Sequence, residues 1–479
     1  MKYYLTVDIG TGSTRAALVG SDGKVLSMRS FANSYYRDEL YSDAQYYLPY
    51  EWEEKLLKAV DELQSENASI KVSAVTSAGT RQTLVLLDKS GKAFYCVPNI
   101  DNRGRDFMDE ITETEYVYEH SGKWVTEDFC AAKLLGLRKL RPEIYNEIGT
   151  ALSQSEWIAH LFTGKSVFEP SQACETQLYD LAGGEWSPVL CEMYGVDMAI
   201  LPELVHSGTS VGGMLPEIKE RFPMLEDAVF IIGGADTQAA LNQTGIEKGD
   251  IAIVSGTTSP VVTLTDDKYY DPHQRVWTDV NLRADGYVIE MNPGVTGLNY
   301  QRIKDALCPD ISYEELEKLY AEKKDFYCTA SFSSLLFYEQ RSLRKGGFFM
   351  RSPLGADLDR IDMVWAVLAD SACAIYEELY RLKALTGADR PYILCAGGGF
   401  RSKALCQMIA DLSGLELRLK PGFEEATVNG LVAVCNTAFG EKSANADGEV
   451  IIYTPRKGQL IHSYHSVWSE NRLKANKIN

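Results

Sequence analysis

The first residues that could do chemistry form a glycine-rich turn close to the N-terminus. Asp8 is followed by Ile9-Gly10-Thr11-Gly12-Ser13-Thr14-Arg15, after an apolar run that begins at Tyr3. Glycine lets backbone N–H groups approach a phosphate closely, and the hydroxyls of Thr11 and Ser13 add donors. An aspartate at the strand end could hold a metal-bound water. No Gly-Lys-Ser/Thr follows, so this turn is not the P-loop, and a plain hairpin turn remains an alternative.

Two more turns of small residues lie in the second half of the chain. The first, Ser255-Gly256-Thr257-Thr258-Ser259, follows the apolar run 251–254 and offers a second set of backbone and hydroxyl donors. The second, Ala396-Gly397-Gly398-Gly399, follows the apolar run 392–395, and its small residues would let an adenine ring lie flat against the backbone. Each turn alone is a weak signal. Three such turns, at the start, midpoint and end, favour a nucleotide held between two halves.

A fourth feature places a carboxylate directly after a buried strand. The apolar pair Ile231-Ile232 runs into Gly233-Gly234, and Ala235-Asp236-Thr237-Gln238 follows. The glycines permit a sharp turn that would expose Asp236 at a strand end, where α/β proteins place their sites. A carboxylate there can accept the proton of a hydroxyl that attacks phosphorus. The alternative is that Asp236 is only the N-cap of a helix over 237–244.

The elements that must position these residues form a mixed α/β pattern with an internal repeat. Strand, turn, strand and hairpin come first, over residues 3–28, with the hairpin signal Asp22-Gly23. The strand-turn-strand form returns at 251–264, and its Gly-Thr-x-Ser turn starts 246 residues after the first, counted from Gly10 to Gly256. We interpret this as an internal duplication. Two unrelated turns in a large α/β chain remain the alternative.

Periodicity of the apolar residues predicts the other elements. Helices are predicted over 51–64, 133–140, 142–148, 154–162 and 402–412. A strand is predicted at 72–77, and a hairpin begins at 83–87. The tail after Val467 is polar, and we expect it to fray.

Composition excludes several classes of protein. The 479 residues carry 48 Lys+Arg and 67 Asp+Glu, a net charge of −19, which argues against a sequence-independent grip on nucleic acid. Local amides and one metal ion can still hold ATP. No uncharged apolar run approaches the ~18 residues that span a bilayer, and Asp8 argues against a secretory leader. The 10 cysteines form no Cys-x-x-Cys pair and histidines number 6, so we expect buried free thiols in a reducing cytoplasm, not a zinc site.

The four motifs, and their order along the chain, resemble those of the FGGY carbohydrate kinases. Residues 8–15 are similar to the family's first phosphate motif, 233–238 to the motif with its catalytic Asp, 255–259 to its second phosphate motif and 396–399 to its adenosine motif. The resemblance spans about residues 3–440. Lesser matches fill the gaps, at 133–135, 142–145, 161–164, 171–180, 201–202 and 425–427.

The resemblance implies an α/β fold of two duplicated actin-like (ribonuclease H-like) ATPase domains with a cleft between them. The domains would cover residues 1–246 and 247–479. It also implies transfer of the γ-phosphoryl group of ATP, with Mg²⁺, to a hydroxyl of a small sugar, ketose, polyol or related acceptor. Asp236 would be the general base, and Asp8 would position the metal through water.

The resemblance assigns further contacts residue by residue. ATP and phosphate contacts are implied for Thr11, Gly12, Ser13, Arg15, Gly256, Thr257, Thr258, Gly397, Gly398 and Gly399. Substrate contacts are implied for Arg81, Gln82, Asp101, Arg103, Asp236 and Thr237, and metal contacts for Asp8 and Asp236. For Arg81 and Arg103, the alternative is a solvated surface guanidinium.

Departures from the family pattern leave the acceptor and any oligomer open. Gly136 stands where the family often has an aromatic residue, Ala235 replaces a third glycine, and Phe400-Arg401 replaces smaller residues. The family's Pro-rich acidic segment is missing, and residues 337–349 are Arg-rich instead. Among subfamilies, residues 81–82, 99–101 and 296–298 look closest to autoinducer-2 kinases, followed by pentulokinases such as xylulokinase.

Two other functions remain alternatives. A degenerate kinase would bind sugar as a sensor without producing ADP, and a switch like actin would lack a sugar pocket. As partners we expect a small sugar or polyol, no nucleic acid and no membrane. A homodimer is left open, and the expected location is the cytoplasm.

Overall fold

The structure is a computed structural model that describes residues 1–334, 345–441, 448–457 and 459–477. Most of the Arg-rich segment 337–349 therefore lies outside the described residues. All ten cysteines are buried and free, as the sequence predicts. No helix within the described ranges combines the length and apolar character needed to cross a bilayer.

Strands and helices alternate along the first half of the chain. The strands are β1 (Tyr3–Ile9), β2 (Ser13–Gly20), β3 (Val25–Ala32), β4 (Tyr36–Arg37), β5 (Gln45–Tyr46), β6 (Ala74–Gly79), β7 (Leu84–Asp88), β8 (Ala93–Val97), β9 (Ile148–Leu152), β10 (Val167–Phe168), β11 (Tyr179–Asp180), β12 (Glu185–Trp186), β13 (Glu203–Leu204), β14 (Ser210–Gly213) and β15 (Val229–Ala235). The helices are α1 (Pro49–Glu66), α2 (Thr114–Ser121), α3 (Cys130–Leu140), α4 (Pro142–Glu147), α5 (Gln154–Thr163), α6 (Pro170–Cys174), α7 (Pro188–Tyr194), α8 (Pro216–Arg221) and α9 (Asp236–Thr244).

The second half continues with fewer and longer helices. Its strands are β16 (Ile251–Val254), β17 (Val261–Thr265), β18 (Trp277–Val280), β19 (Tyr287–Met291), β20 (Cys328–Ser331), β21 (Gly347–Met350), β22 (Tyr392–Ala396), β23 (Glu416–Leu419) and β24 (Ile451–Tyr453). Its helices are α10 (Gly297–Leu307), α11 (Tyr313–Glu322), α12 (Arg360–Thr386), α13 (Lys403–Ser413), α14 (Ala426–Ala438) and α15 (Gln459–Asn476).

Each half is built on one mixed sheet, and the two sheets share a strand order. In the first, β3, β2 and β1 are antiparallel neighbours, and β6 and then β15 run parallel to β1. In the second, β19, β17 and β16 are antiparallel neighbours, and β22 and then β23 run parallel to β16. This common order is the structural form of the duplication that the repeated turn predicts.

Two helices cross where the halves meet. α9 ends the first half, yet it packs against β16 and β22 of the second sheet. α14 belongs to the second half, yet it packs against β1, β6 and β15 of the first sheet and against α9. Gly430 of α14 is needed at this crossing, because a Cβ there would lie 1.7 Å from the carbonyl oxygen of Ala239 in α9.

The C-terminal tail does not fray, so that prediction is wrong. α15 continues to Asn476, and its buried residues recur with helical spacing. Trp468 is 2% exposed and its Nε1 donates to Asp370 of α12 at 2.7 Å. A stripe of apolar side chains and one arginine anchors the tail to the second half: Ile461, Tyr464, Trp468, Arg472 and Ala475.

Candidate active site

Three adjacent parallel strands of the first sheet end at the same edge, and each carries a predicted site residue at or just after its carboxyl end. Asp8 lies at the end of β1, Arg81 two residues after β6, and Asp236 directly after β15. The register places Ile9 beside Gly79, and Gly79 beside Ala235. The carboxyl ends of parallel strands are where open α/β sheets bind ligands. The residues predicted for the metal, the base and the acceptor therefore converge on one edge.

The carbonyl groups of the first glycine-rich turn accept hydrogen bonds from residues that follow β3. Asn33 Nδ2 donates to the carbonyl of Gly10 at 2.7 Å and its backbone N–H to that of Gly12 at 3.1 Å, while the Tyr35 hydroxyl donates to the Thr11 carbonyl at 2.6 Å. A trans peptide points its N–H away from its C=O. The amides of Thr11 and Gly12 therefore point away from β3, as a phosphate cradle requires.

Asp236 is the first residue of α9, which a glycine pair turns away from β15. Gly233 approaches β6 so closely that a Cβ would lie 2.0 Å from the Ser77 carbonyl oxygen, and Gly234 has φ of 149°. Asp236 Oδ1 accepts from the N–H of Thr237 at 2.6 Å and from its hydroxyl at 3.2 Å. The N-cap position itself belongs to Ala235, so Asp236 is not the cap that the alternative predicts.

Burial makes both carboxylates at this edge hard to ionise. It raises the pKa of Asp236, opposed by the positive charge of Arg81. Burial also raises the pKa of Asp8 to about 7, with Arg15 opposing and the charge of Asp236 adding to the rise. A group that must accept a proton near neutral pH benefits from such a shift.

The same pair of carboxylates suits a magnesium ion. Asp8 and Asp236 are near enough for one charge to raise the pKa of the other, and a divalent cation would relieve that repulsion. Mg²⁺ is commonly held by one or two carboxylates together with water and substrate phosphates. Among the described residues, no group of three or more His, Cys, Asp or Glu could form a protein-only metal cage. The two carboxylates fit a metal that also binds water and the phosphates of a substrate.

The two glycine-rich turns of the second half pack directly on each other. The N–H of Ser255 donates to the Ala396 carbonyl at 2.8 Å, and the N–H of Gly399 donates to the Ser255 carbonyl at 2.9 Å. Gly397 has φ of 99°, and a Cβ there would lie 2.3 Å from the same carbonyl oxygen. A Cβ added at Gly398 would meet no heavy atom within 4 Å, and Gly256 and Thr257 are exposed. The turns form one small-residue surface at the edge of the second sheet.

An ion-pair chain joins this surface to the first turn. Arg15, beside Asp8, pairs with Glu425, which precedes α14. Arg401, which follows the glycine triplet, donates to the other oxygen of Glu425 at 3.2 Å. The predicted phosphate residue Arg15 is therefore already held across the cleft by a carboxylate of the second half.

On the acceptor side, Arg81 and Gln82 contact residues of both halves. Arg81 Nη1 and Nη2 donate to the two oxygens of Glu290 in β19 at 2.7 and 3.1 Å. Glu175 of the first half accepts from Arg81 at 3.4 Å and from Gln82 Nε2 at 3.0 Å. The side chain of Arg81 is only 13% exposed, so the alternative of a solvated guanidinium is wrong.

Asp101 and Arg103 form a buried pair behind the acceptor side. Arg103 Nε donates to the two oxygens of Asp101 at 2.9 and 3.0 Å, and Asp101 also accepts from the Gln45 N–H. Both side chains are at most 1% exposed, so the solvated alternative is wrong here too. In this arrangement Asp101 orients Arg103, and any contact with an acceptor falls to the remaining donors of Arg103.

Sequence reasoning missed three residues that shape the acceptor side. Glu290 and Glu175 hold Arg81, and a carboxylate inside the apolar strand β19 is the signal that could have found the first. Lys133 of α3 is fully buried and donates to the carbonyls of Gln82, Pro98 and Asn99 at 2.6, 3.1 and 3.0 Å. Its position within the otherwise apolar, buried part of that helix, residues 130–137, was the signal.

A buried carboxyl supports the backbone that leads into Asp236. Ser171 Oγ accepts from the N–H of Ala235 at 3.1 Å and donates to Glu169. Burial raises the pKa of Glu169 to about 8, and the nearby Glu156 adds to the rise. Glu169 is therefore neutral in the folded protein at pH 7, whereas an exposed glutamate in the unfolded chain is ionised.

This shift predicts that the protein loses stability as pH rises. Because the folded state keeps the proton that the unfolded state releases, the free energy of unfolding falls between about pH 4.5 and pH 8, by roughly 2–4 kcal/mol for this group. In Glu169→Gln, whose amide imitates the neutral acid, we expect melting temperatures measured across this range to fall less steeply. Glu203→Gln, at an exposed position, is the control. Parallel curves for wild type and Glu169→Gln would contradict the prediction.

Comparison with known proteins places the chain in a family. The sequence model of the FGGY family of carbohydrate kinases, N-terminal domain, matches residues 3–242, and that of the C-terminal domain matches residues 251–439. The chain belongs to the FGGY family of carbohydrate kinases. This FGGY kinase is 35% identical over 476 residues to YoaC of Bacillus subtilis (strain 168), which is named as a sugar kinase, with 98% of this chain and 97% of that one covered.

More distant relatives agree with this placement. The FGGY kinase is 26% identical over 497 residues to an autoinducer-2 kinase of Enterobacter sp. (strain 638), covering 95% of this chain and 90% of the relative. Glycerol kinase of Plasmodium falciparum with ADP shares its fold with a TM-score of 0.84 at 18% identity, covering 99% and 98% of the two chains. Xylulose kinase of Lactobacillus acidophilus gives a TM-score of 0.82 at 16% identity, with the same coverage.

The family fixes the fold and the general activity of this FGGY kinase. The predicted α/β fold of two duplicated actin-like ATPase domains is confirmed. The protein is an ATP-dependent sugar kinase, as the resemblance implied. A degenerate kinase that only senses sugar is not favoured.

Proposed function

We propose that Asp236 is the general base of this sugar kinase. It takes the proton of an acceptor hydroxyl as the oxygen attacks the γ-phosphorus of ATP in line. The observation that carries this assignment is the position of Asp236 at the shared edge of β1, β6 and β15, beside Arg81 and within electrostatic reach of Asp8. The backbone N–H of Thr237 donates a hydrogen bond to the Asp236 carboxylate and so orients it for an acceptor.

The nucleotide lies between the two halves in this proposal. Asp8 and Asp236 would hold Mg²⁺, which would supply positive charge that offsets the charge on the phosphates. The first turn donates to the transferred phosphoryl group through Thr11, Gly12, Ser13 and Arg15. The second half donates from the opposite side through Gly256, Thr257 and Thr258, and the adenosine lies against Gly397, Gly398 and Gly399. Closure of the halves excludes water as a competing acceptor.

The acceptor lies on the Arg81 side of Asp236. Arg81 and Gln82 donate to its hydroxyls, and Arg103, oriented by Asp101, adds a further donor. We favour a small ketose, polyol or related acceptor of the autoinducer-2 or pentulose type. Named relatives include autoinducer-2 kinases, and structures with the same fold include xylulose kinases, which supports this choice.

A screen of acceptors tests the proposed function. We expect ADP release by the purified protein, with ATP and Mg²⁺, to rise when autoinducer-2 or a pentulose is added and to stay at background without acceptor. A coupled assay over ketoses, polyols, aldonates and autoinducer-2 measures this. Stimulation by none of them would contradict the proposal and return the sensor or switch to consideration.

Three further assignments accompany the proposal. We place the domain boundary between residues 246 and 247, in the segment that joins α9 to β16. Ten buried thiols suit the reducing cytoplasm, where we place the protein. A homodimer stays a prediction.

A further inference from the structure

The acceptor side of the cleft carries an ion pair between the halves that the reaction itself does not require. Arg81 belongs to the first half and Glu290 to the second, and the guanidinium meets both carboxylate oxygens at 2.7 and 3.1 Å. Planar, two-fold contacts of this kind are the strong form of the arginine–carboxylate interaction. The significance of the pair for the acceptor rests on the proposed function, in which Arg81 faces the acceptor hydroxyls.

Glu290 is committed to Arg81 because little else can satisfy it. Its side chain is 2% exposed, and Asn292 Nδ2 donates to one of its oxygens at 3.0 Å. An acceptor carboxylate could form the full ion pair that Arg81 now makes with Glu290 only by displacing Glu290. That exchange would leave a buried negative charge with a single amide donor, and breaking a buried pair in this way is strongly unfavourable.

The charges around the pair reinforce this effect. Lys123 of the first half is fully buried and pairs with Asp279 of β18, with Glu175 at 3.7 Å. The carboxylates of Glu175, Asp279 and Glu290 therefore already partner the two cations Arg81 and Lys123, and Asp236 lies near Arg81. An anionic acceptor would meet cations whose charge these carboxylates already offset.

Arg81 still offers hydrogen bonds to an uncharged acceptor. A guanidinium carries five N–H donors, and Arg81 uses three of them toward Glu290 and Glu175. The other two can donate to hydroxyl or carbonyl oxygens of the acceptor. Such hydrogen bonds do not need the positive charge that Glu290 offsets.

We propose that Glu290 determines acceptor charge: by neutralising Arg81 it makes the site select uncharged polyhydroxy acceptors and reject sugar acids that carry a carboxylate. Glu290 acts through Arg81 and does not touch the acceptor, so it is a positioning residue. The proposal deepens the proposed function, since it states which class of acceptor the same site takes.

The test compares a neutral acceptor with the aldonic acid of the same carbon skeleton. For the wild-type protein we expect kcat/KM for the neutral acceptor that best stimulates ADP release to exceed that for its aldonate by at least about 100-fold. In Glu290→Gln, which keeps the shape but removes the charge, we expect this ratio to fall by at least about tenfold, chiefly through KM for the aldonate. Glu290→Asp, which restores the charge, is expected to return toward the wild-type preference.

Glu425→Gln is the matched control, because it removes the carboxylate that pairs with Arg15 on the phosphate side of the same cleft. Its overall rate can change, but the ratio between neutral and anionic acceptors should not. Dissociation constants for both acceptors, measured with a non-hydrolysable ATP analogue, give the same comparison where a variant turns over slowly. A wild-type ratio near one, or a ratio that Glu290→Gln leaves in place, overturns the proposal. Absence of turnover and binding with every acceptor overturns the proposed function instead.

Discussion

Asp236→Asn is expected to lose at least about 1000-fold in the rate of phosphoryl transfer and to retain its affinity for ATP. The amide keeps the size of the carboxylate and can still accept from Thr237, but it cannot take the proton of the attacking hydroxyl. The nearby carboxylates are engaged elsewhere: Asp8 lies on the far side of β6 and is paired with Arg15, and Glu175 accepts from Arg81 and Gln82. Coupled ADP release measures the rate, and titration calorimetry with ATP measures the affinity.

The control is Asp197→Asn, which also removes a negative charge from the start of a short helix. Asp197 is exposed and accepts from the N–H of Ala199 at 2.9 Å. Both variants lose the favourable interaction of a negative charge with the N-terminus of a helix. A difference in rate between them should therefore come only from the loss of a catalytic group. If Asp236→Asn turned over within about tenfold of the wild type, the base would have to lie elsewhere.

Gly430→Ala is expected to give the largest loss of stability among glycine-to-alanine changes at the described residues. A Cβ would lie 1.7 Å from the carbonyl oxygen of Ala239; the backbone of α14 fixes the position of the Cβ, and the oxygen belongs to the backbone of α9. No rotamer change can relieve such a contact, so the helices must separate, which costs roughly 3 kcal/mol or more. Because α9 begins at Asp236, we also expect kcat to fall.

Thermal unfolding and steady-state kinetics check this prediction together. Gly355→Ala is the control, because no heavy atom lies within 4 Å of the added methyl. We expect the melting temperature of Gly430→Ala to fall by several degrees and that of Gly355→Ala to stay near the wild-type value. A melting temperature for Gly430→Ala equal to that of the control would show that the crossing tolerates more space than its geometry implies.

Local signals in the sequence were sufficient for much of the fold. The strand-turn-strand form around Gly10 and Gly256 predicts the antiparallel part of both sheets, because glycine turns and alternating apolar residues act over a few neighbours. The polar tail after Val467 was misjudged for an instructive reason. Its buried stripe is narrow and includes an arginine, Arg472, so average polarity conceals a helical spacing that was present in the sequence.

Contacts between distant parts of the chain could not be read in the same way. Arg81 and Glu290 are 209 residues apart, and the sequence gives no sign that a strand carboxylate will meet that guanidinium. The pairing of Asp101 with Arg103 is local, yet its complete burial depends on Gln45 and Tyr95 from other elements. The site residues could therefore be predicted from the sequence. The residues that pair with them and offset their charge could be identified only from the tertiary structure.

The crossing of α14 onto the first sheet has a consequence for how the chain matures during synthesis. The sheet face that α14 covers includes Tyr4, Ala17 and Val19, all fully buried in the finished protein. At roughly 5–20 residues per second, a ribosome needs roughly 10–40 s to proceed from the end of β15 to the end of α14. For that interval the nascent first half exposes this apolar face. The first half can complete its packing only after α14 has been synthesised.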